Sequence, residues 1–188
     1  MMIIRLFLIL FVCVSFTSPK ESSELYIDQY KELAIVEMYR SGIPASIKLA
    51  QGLLESNNGN SELAINAKNH FGIKCKSYWT GASYYHKDDD RDVRGRIVDS
   101  CFRAYNNVVD SYADHSNFLR YSGNYNTLFE YAKTDYYSWA RGLKYCGYAT
   151  DPAYAEKLIK KIEEYNLAQY DSWENPLEKL SITDANKE

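Results

Sequence analysis

One change of period divides this chain. From Ile27 to Leu54 apolar residues recur at helical spacing: Ile27, Tyr30, Leu33, Ala34 and Met38, then Ile47, Ala50, Leu53 and Leu54. Gly42 stops the first run, and Pro44 suits the first turn of the second. After Cys75 the helical pattern is lost. "SYWTGASYYHKDDDRDVRGRIVDSCFRAY", residues 77–105, is rich in aromatic and β-branched residues broken by Gly81 and Gly95, which predicts a small β-hairpin. Helical spacing then returns with Val108, Tyr112, His115 and Leu119, behind Asn107 as N-cap. A shorter stretch from Thr127 to Lys133 follows, then Tyr136, Trp139, Ala140 and Leu143. The last helix is expected to start with Asp151 as N-cap and Pro152 at its first position, burying Ala155, Leu158, Ile159 and Ile162. Helices interrupted once by a hairpin predict an α+β, mainly helical fold, with a small β-hairpin lobe and a cleft between the parts.

A chain of 188 residues can close one full hydrophobic core and little more. Residues 25–170 contain no repeat or Pro-rich linker and read as one domain, expected to be a monomer. Residues 171–188 read as a polar C-terminal tail in which Trp173 and Leu177 are the candidates to dock back. The formal net charge of −3, without a block of Lys and Arg, gives no footprint for nucleic acid or an anionic membrane. Eighteen Tyr, seven Phe and three Trp supply amphipathic rings suited to a core or to a sugar-binding cleft.

Residues 1–18 read as a signal peptide: Arg5 in the n-region, the apolar run Leu6 to Val14, then small residues at Ser15, Thr17 and Ser18. The apolar run is well short of the roughly 20 residues that span a bilayer, so no integral membrane segment is expected once it is removed. Leu10-Phe11-Val12 before Cys13 lacks the small residues of a lipoprotein site. Export leaves Cys75, Cys101 and Cys146 in an oxidising compartment, where two could pair. Cys75 and Cys101 bracket the strand-like stretch, and a bridge between them would staple the base of the lobe.

Glu55 is the residue whose position asks for an explanation. Ile47, Gln51 and Glu55 fall at successive i,i+4 steps, so a carboxyl group sits at the edge of a core-facing stripe, at the helix C-terminus. Partial burial, leucine neighbours and the negative end of the helix dipole all disfavour its ionised form. A carboxyl kept protonated near neutral pH is what a general acid needs. A surface Glu in a last helical turn is the plain alternative.

The residues around and beyond Glu55 carry a more specific signal. "GIPASIKLAQGLLESNNGNSELAINAKNHFGIKC" contains Gln51, Leu54, Glu55, Ser56 and Gly59, then Asn69, Phe71, Gly72, Ile73 and Lys74. This block resembles the "Q-x-x-L-E-S-x-x-G" and "N-x-F-G-I-K" elements of bacterial peptidoglycan endo-β-N-acetylglucosaminidases, glycoside hydrolase family 73. "GYATDPAYAEKLIKKIEEY", residues 147–165, is similar to the family's C-terminal signature. The resemblance implies a lysozyme-like helical fold, with Glu55 as catalytic acid and Asn69 and Phe71 on the substrate side. The implied substrate is the β-1,4 bond between N-acetylglucosamine and N-acetylmuramic acid in peptidoglycan glycan strands, and the implied location is periplasmic or extracellular in a bacterium. Tyr148 corresponds to a tyrosine that in the family lies in the cleft and takes part in catalysis. A second carboxylate is implied a few residues after Gly81-Ala82-Ser83, within Asp88-Asp89-Asp90, where the family more often has Glu. Asp90 is the expected catalytic partner, with Asp89 held in reserve on the substrate side. Two rivals keep the sequence but change the activity: a muramidase or lytic transglycosylase of the same fold, and a wall-binding module without catalysis.

Tyr137 and Trp139 are candidate sugar-stacking rings, although on a helix either could equally be core. No cofactor or metal is expected. His70, His86 and His115 lack zinc-ligand spacing, and an EF-hand read from Asp88 puts Val93 where the turn needs Gly. No Cys-His signature surrounds Cys146, and no phosphate-binding loop or nucleic-acid motif is present.

Overall fold

Helix α1, Pro19–Ser41, runs without a break because both ends are explicitly stopped. Ser18 and Glu21 form a reciprocal capping box with Pro19 at the first position, and Gly42 ends the helix at φ 88°, a left-handed conformation that suits glycine. The capping box starts α1 well before the first apolar repeat. The computed structural model describes residues 18–178 apart from the side chain of Asp89; residues 1–17, and with them most of the expected signal peptide, lie outside the described residues.

Helix α2, Ala45–Glu55, is the axis of the domain: every residue from Ala45 to Leu53 is buried. It packs against α1, against α5 (Tyr136–Tyr145) and α6 (Tyr154–Glu164), and against a 3-10 segment, Leu167–Ser172. Pro44 stands just outside the helix rather than in its first turn, and has no side chain with which to cap it. The cap comes instead from Asp171, whose two carboxylate oxygens accept the Ser46 N–H at 2.8 Å and the Ser46 hydroxyl at 2.6 Å. Residue 171 is therefore part of the domain. The Tyr39 hydroxyl also holds the Trp173 carbonyl at 2.9 Å, so the polar tail begins later than the sequence suggested.

A short helix α3, Glu62–Ala67, was not foreseen; six residues carry too little periodicity to read. The lobe is a two-stranded antiparallel hairpin, β1 (Ser83–Arg91) and β2 (Ile97–Arg103), pairing Ser83 with Arg103 and Lys87 with Asp99. Its register slips between Lys87 and Arg91, within the acidic run. Lys74 adds an isolated bridge to Phe102, and a disulfide joins Cys75 to Cys101 at the root of the lobe. Helix α4, Val108–Tyr121, starts at Asn107, whose side chain accepts the Asp110 N–H.

Two later elements differ from expectation. The stretch around Thr127 is a 3-10 segment, Gly123–Glu130. Helix α6 begins at Tyr154 because Asp151 spends its side chain on the Ala153 N–H and closes a turn in front of the helix. The core fills the space between the helices and includes Trp139 at 0% exposure. Among the described residues no helix is long and apolar enough to cross a membrane.

Candidate active site

An open cleft of about 490 Å³ separates the helical body from the β lobe, with Glu55, Phe71 and Tyr148 on one side and Lys74, His86 and Asp88 on the other. Glu55 is the last residue of α2. The chain leaves it through Ser56 and then Asn57, Asn58 and Gly59, all at positive φ. Asn and Gly tolerate that region best, so "NNG" turns the backbone sharply away and leaves the carboxyl at the cleft. The Ser56 hydroxyl accepts the Gly59 N–H at 2.7 Å and fixes the turn.

The Glu55 side chain accepts one hydrogen bond, from the Tyr154 hydroxyl at 2.8 Å, which in turn is held by the Gln51 amide at 3.1 Å. Burial raises the carboxyl above its ordinary pKa, and the Tyr154 donor offsets part of that rise. The helix C-terminus acts in the same direction as burial.

Tyr148 reaches the cleft through the end of α5. The Gly147 N–H bonds to the Lys144 carbonyl and the Tyr148 N–H to the Leu143 carbonyl, a Schellman ending with Gly147 at φ 80°. That ending accounts for the glycine in "GYATDP". The Tyr148 ring stacks on Tyr154 at 5.5 Å, and its hydroxyl lies 3.1 Å from His115 Nε2. Burial and the neighbouring Glu55 carboxyl push the Tyr148 phenol well above its usual pKa.

The lobe wall has the opposite electrostatics. Lys74 Nζ lies 2.8 Å from Asp88 and 3.0 Å from Asp90. Despite the cost of burial, those two carboxylates hold the Lys74 ammonium above its ordinary value. Asp90 also accepts the Ser100 hydroxyl, and that bond with Lys74 keeps its carboxyl low and ionised. The cleft lining contains Asp88 rather than Asp90, which faces Lys74 and Ser100. The register slip between Lys87 and Arg91 falls within this run, so strict strand alternation does not fix which of its side chains meets the cleft. The side chain of Asp89 lies outside the described residues.

Four other expected site residues have definite positions. Phe71 lines the cleft but is packed flat on His115, with ring centroids 4.0 Å apart. Asn69 is buried and binds its own loop: its amide donates to the carbonyls of Ile73 and Arg103, and its oxygen accepts the Ile73 N–H. These bonds hold the loop that carries Phe71 and Ile73 into the cleft lining. Trp139 is corrected outright, because a fully buried ring packed edge-on against Phe129 has no face for a sugar. Tyr137 is exposed but lies outside the cleft lining, stacked on Tyr136 with its hydroxyl donating to Glu163.

Sequence reasoning missed Lys48, His115 and Tyr154. Lys48, Gly52 and Glu55 fall at i, i+4 and i+7, a helical face on which a lysine between Ile47 and Leu49 was the available signal. Among the described residues no group of three or more His, Cys, Asp or Glu is placed to hold a metal ion.

Comparison with known proteins bears on the whole arrangement. Residues 31–167 match the glucosaminidase family model described as mannosyl-glycoprotein endo-β-N-acetylglucosaminidase. The exo-glucosaminidase LytG of Bacillus subtilis is 30% identical over 171 residues, covering 88% of this chain and 60% of the relative. The peptidoglycan hydrolase FlgJ of Vibrio parahaemolyticus is 31% identical over 150 residues, covering 74% of this chain and 46% of the relative. The chain thus spans about half to three-fifths of the length of these curated relatives. Among solved structures, the catalytic domain of the autolysin Auto from Listeria monocytogenes superposes with a TM-score of 0.71 at 29% identity, covering 85% of this chain and 92% of that one. The matched span holds Glu55, the acidic run and Tyr148 within one lysozyme-like fold, and the chain belongs to the glucosaminidase family, glycoside hydrolase family 73.

Proposed function

We propose that this chain is an exported glycosidase that cuts the β-1,4 bond between N-acetylglucosamine and N-acetylmuramic acid in peptidoglycan, with Glu55 as general acid. The observation that carries the reading is the environment of Glu55. Its carboxyl is largely buried, has Tyr154 as its hydrogen-bond donor, and is biased toward the protonated form at the edge of an open cleft. In that state it delivers a proton to the glycosidic oxygen as the bond breaks toward an oxocarbenium-like state.

The opposite requirement is a group that stays anionic, to activate water or to stabilise developing positive charge. The Lys74-bound carboxylates of β1 suit it, and Asp88 is the first choice because it lines the cleft with Glu55. Asp90, the choice made from sequence, then acts through Lys74 and Ser100 to set the geometry of that wall. Tyr148 supplies a hydroxyl to the substrate. The names of LytG and FlgJ support the same reading, since one is a glucosaminidase and the other a peptidoglycan hydrolase.

Mass spectrometry of peptidoglycan digested with the purified protein tests the bond cleaved. New reducing N-acetylglucosamine ends are expected. Reducing or anhydro-muramic ends would replace this activity with a muramidase or transglycosylase, and binding without any new ends would replace it with a wall-binding module.

A further inference from the structure

Behind the cleft lies a buried polar chain that the proposed acid and anion leave unused. Lys48, in the middle of α2, is 0% exposed, and so is His115 on α4. Lys48 Nζ donates to the Tyr112 carbonyl at 2.9 Å and lies 2.8 Å from His115 Nδ1. His115 Nε2 lies 3.1 Å from the Tyr148 hydroxyl, whose ring lines the cleft. The Lys48 nitrogen also stands over two aromatic faces, 4.5 Å from the Phe71 centroid and 5.1 Å from that of Tyr112.

A buried amine without a carboxylate partner is costly, and the largest acidic influence on it, Glu37, is already paired with Arg40 at 2.7 Å. A methionine would fill much of the same space at no electrostatic cost. What lysine adds is a set of N–H donors with fixed directions.

We propose that Lys48, as an ammonium, and His115 are positioning residues that fix Tyr148 as a hydrogen-bond donor into the cleft; this rests on the reading of the cleft as a glycosidase site. An ammonium has no lone pair, so His115 Nδ1 must accept from it. The single proton of the neutral imidazole then sits on Nε2, which donates to the Tyr148 oxygen. The phenol's own proton is left to point at an oxygen of the bound glycan. No proton changes owner in this arrangement; the chain sets only which atom donates to which.

The opposite arrangement is equally definite. A neutral Lys48 amine would let the imidazole turn over to its Nδ1–H form, and Nε2 would then accept the hydrogen bond donated by the Tyr148 hydroxyl. The cleft would see only phenol lone pairs. Burial, with the Arg40 charge, pushes the Lys48 pKa well below its ordinary value and so toward that amine, and Glu37 and Asp114 offset only part of this. The ring faces of Phe71 and Tyr112 attract an N–H bearing positive charge and repel a lone pair, which favours the ammonium. Burial, with a cationic Lys48 beside it, keeps His115 neutral.

Nitrogen NMR of the intact protein labelled at histidine reads the tautomer directly. A protonated Nε2 and a bare Nδ1 at His115 are expected; a protonated Nδ1 overturns the proposal. A double-mutant cycle on a soluble glycan gives the kinetic test. Tyr148→Phe is expected to lower kcat about 100-fold. Lys48→Met should lower it about tenfold, with KM within about twofold and an unchanged or higher Tm. In the Tyr148→Phe background Lys48→Met should add less than about twofold, because its effect passes through that hydroxyl. Equal loss in both backgrounds, or none in the wild type, overturns the proposal. Glu55→Gln on the same substrate separates the two readings. Full activity in that variant would remove the assignment of Glu55 and leave the tautomer measurement as the test of the relay.

Discussion

On the helical wall of the cleft Glu55 is enclosed by buried neighbours and accepts one hydrogen bond, from Tyr154; on the lobe wall Asp88 and Asp90 share the Lys74 ammonium at the edge of a two-stranded hairpin. Burial without a cation holds the first carboxyl toward neutrality. The Ser100 hydroxyl and the Lys74 ammonium, with little burial to oppose them, hold Asp90 ionised. The proposed reaction needs an acid and an anion at the same pH, and the two walls would separate them by surroundings, not by residue type.

The largest test of that contrast is Glu55→Gln, which keeps the shape and removes the proton. It should lower the rate of reducing-end release by about 10³-fold or more with the thermal midpoint unchanged. On the other wall Asp88→Asn should cost about 10²-fold in kcat and Asp90→Asn about tenfold, measured on one soluble glycan. The reverse order would return the anionic role to Asp90. Replacing both Cys75 and Cys101 by Ser removes the staple at the root of the lobe, which spans a sequence separation of 26. Denaturant midpoints should then show a loss of about 3 kcal/mol, while the helical wall keeps its own packing. The smallest effect is expected from Tyr154→Phe. Its hydroxyl stabilises the ionised form of Glu55, so removing it raises the carboxyl pKa further. The alkaline limb of the kcat/KM profile should move to higher pH; movement to lower pH would mean that the contact favours the protonated form.

The same contrast explains what the sequence made legible. The helical wall is built from long periodic elements with explicit stops, so α2, Glu55 at its end and the "NNG" turn could be read along the chain, while a cleft position for Tyr148 came only from the family resemblance. The lobe could be foreseen as a hairpin, but not the slip between Lys87 and Arg91 that helps decide which Asp meets the cleft. Partners distant in sequence were hidden for a different reason. Tyr154 bonding Glu55, Asp171 capping α2 and Lys48 meeting His115 are contacts between elements, and no local spacing encodes them. Trp139 shows the converse: an aromatic at helical spacing carries the same pattern whether it faces a sugar or the core.

The contact between Asp171 and Ser46 extends the hydrogen-bonded unit past the span shared with the family. The family match ends at residue 167, four positions before the carboxylate that closes the first turn of α2. A protein trimmed to the matched span would keep every residue assigned to the cleft. It would still open the far end of the helix that carries Glu55. The boundary drawn from shared sequence and the boundary drawn from hydrogen bonding differ here by a single side chain's reach.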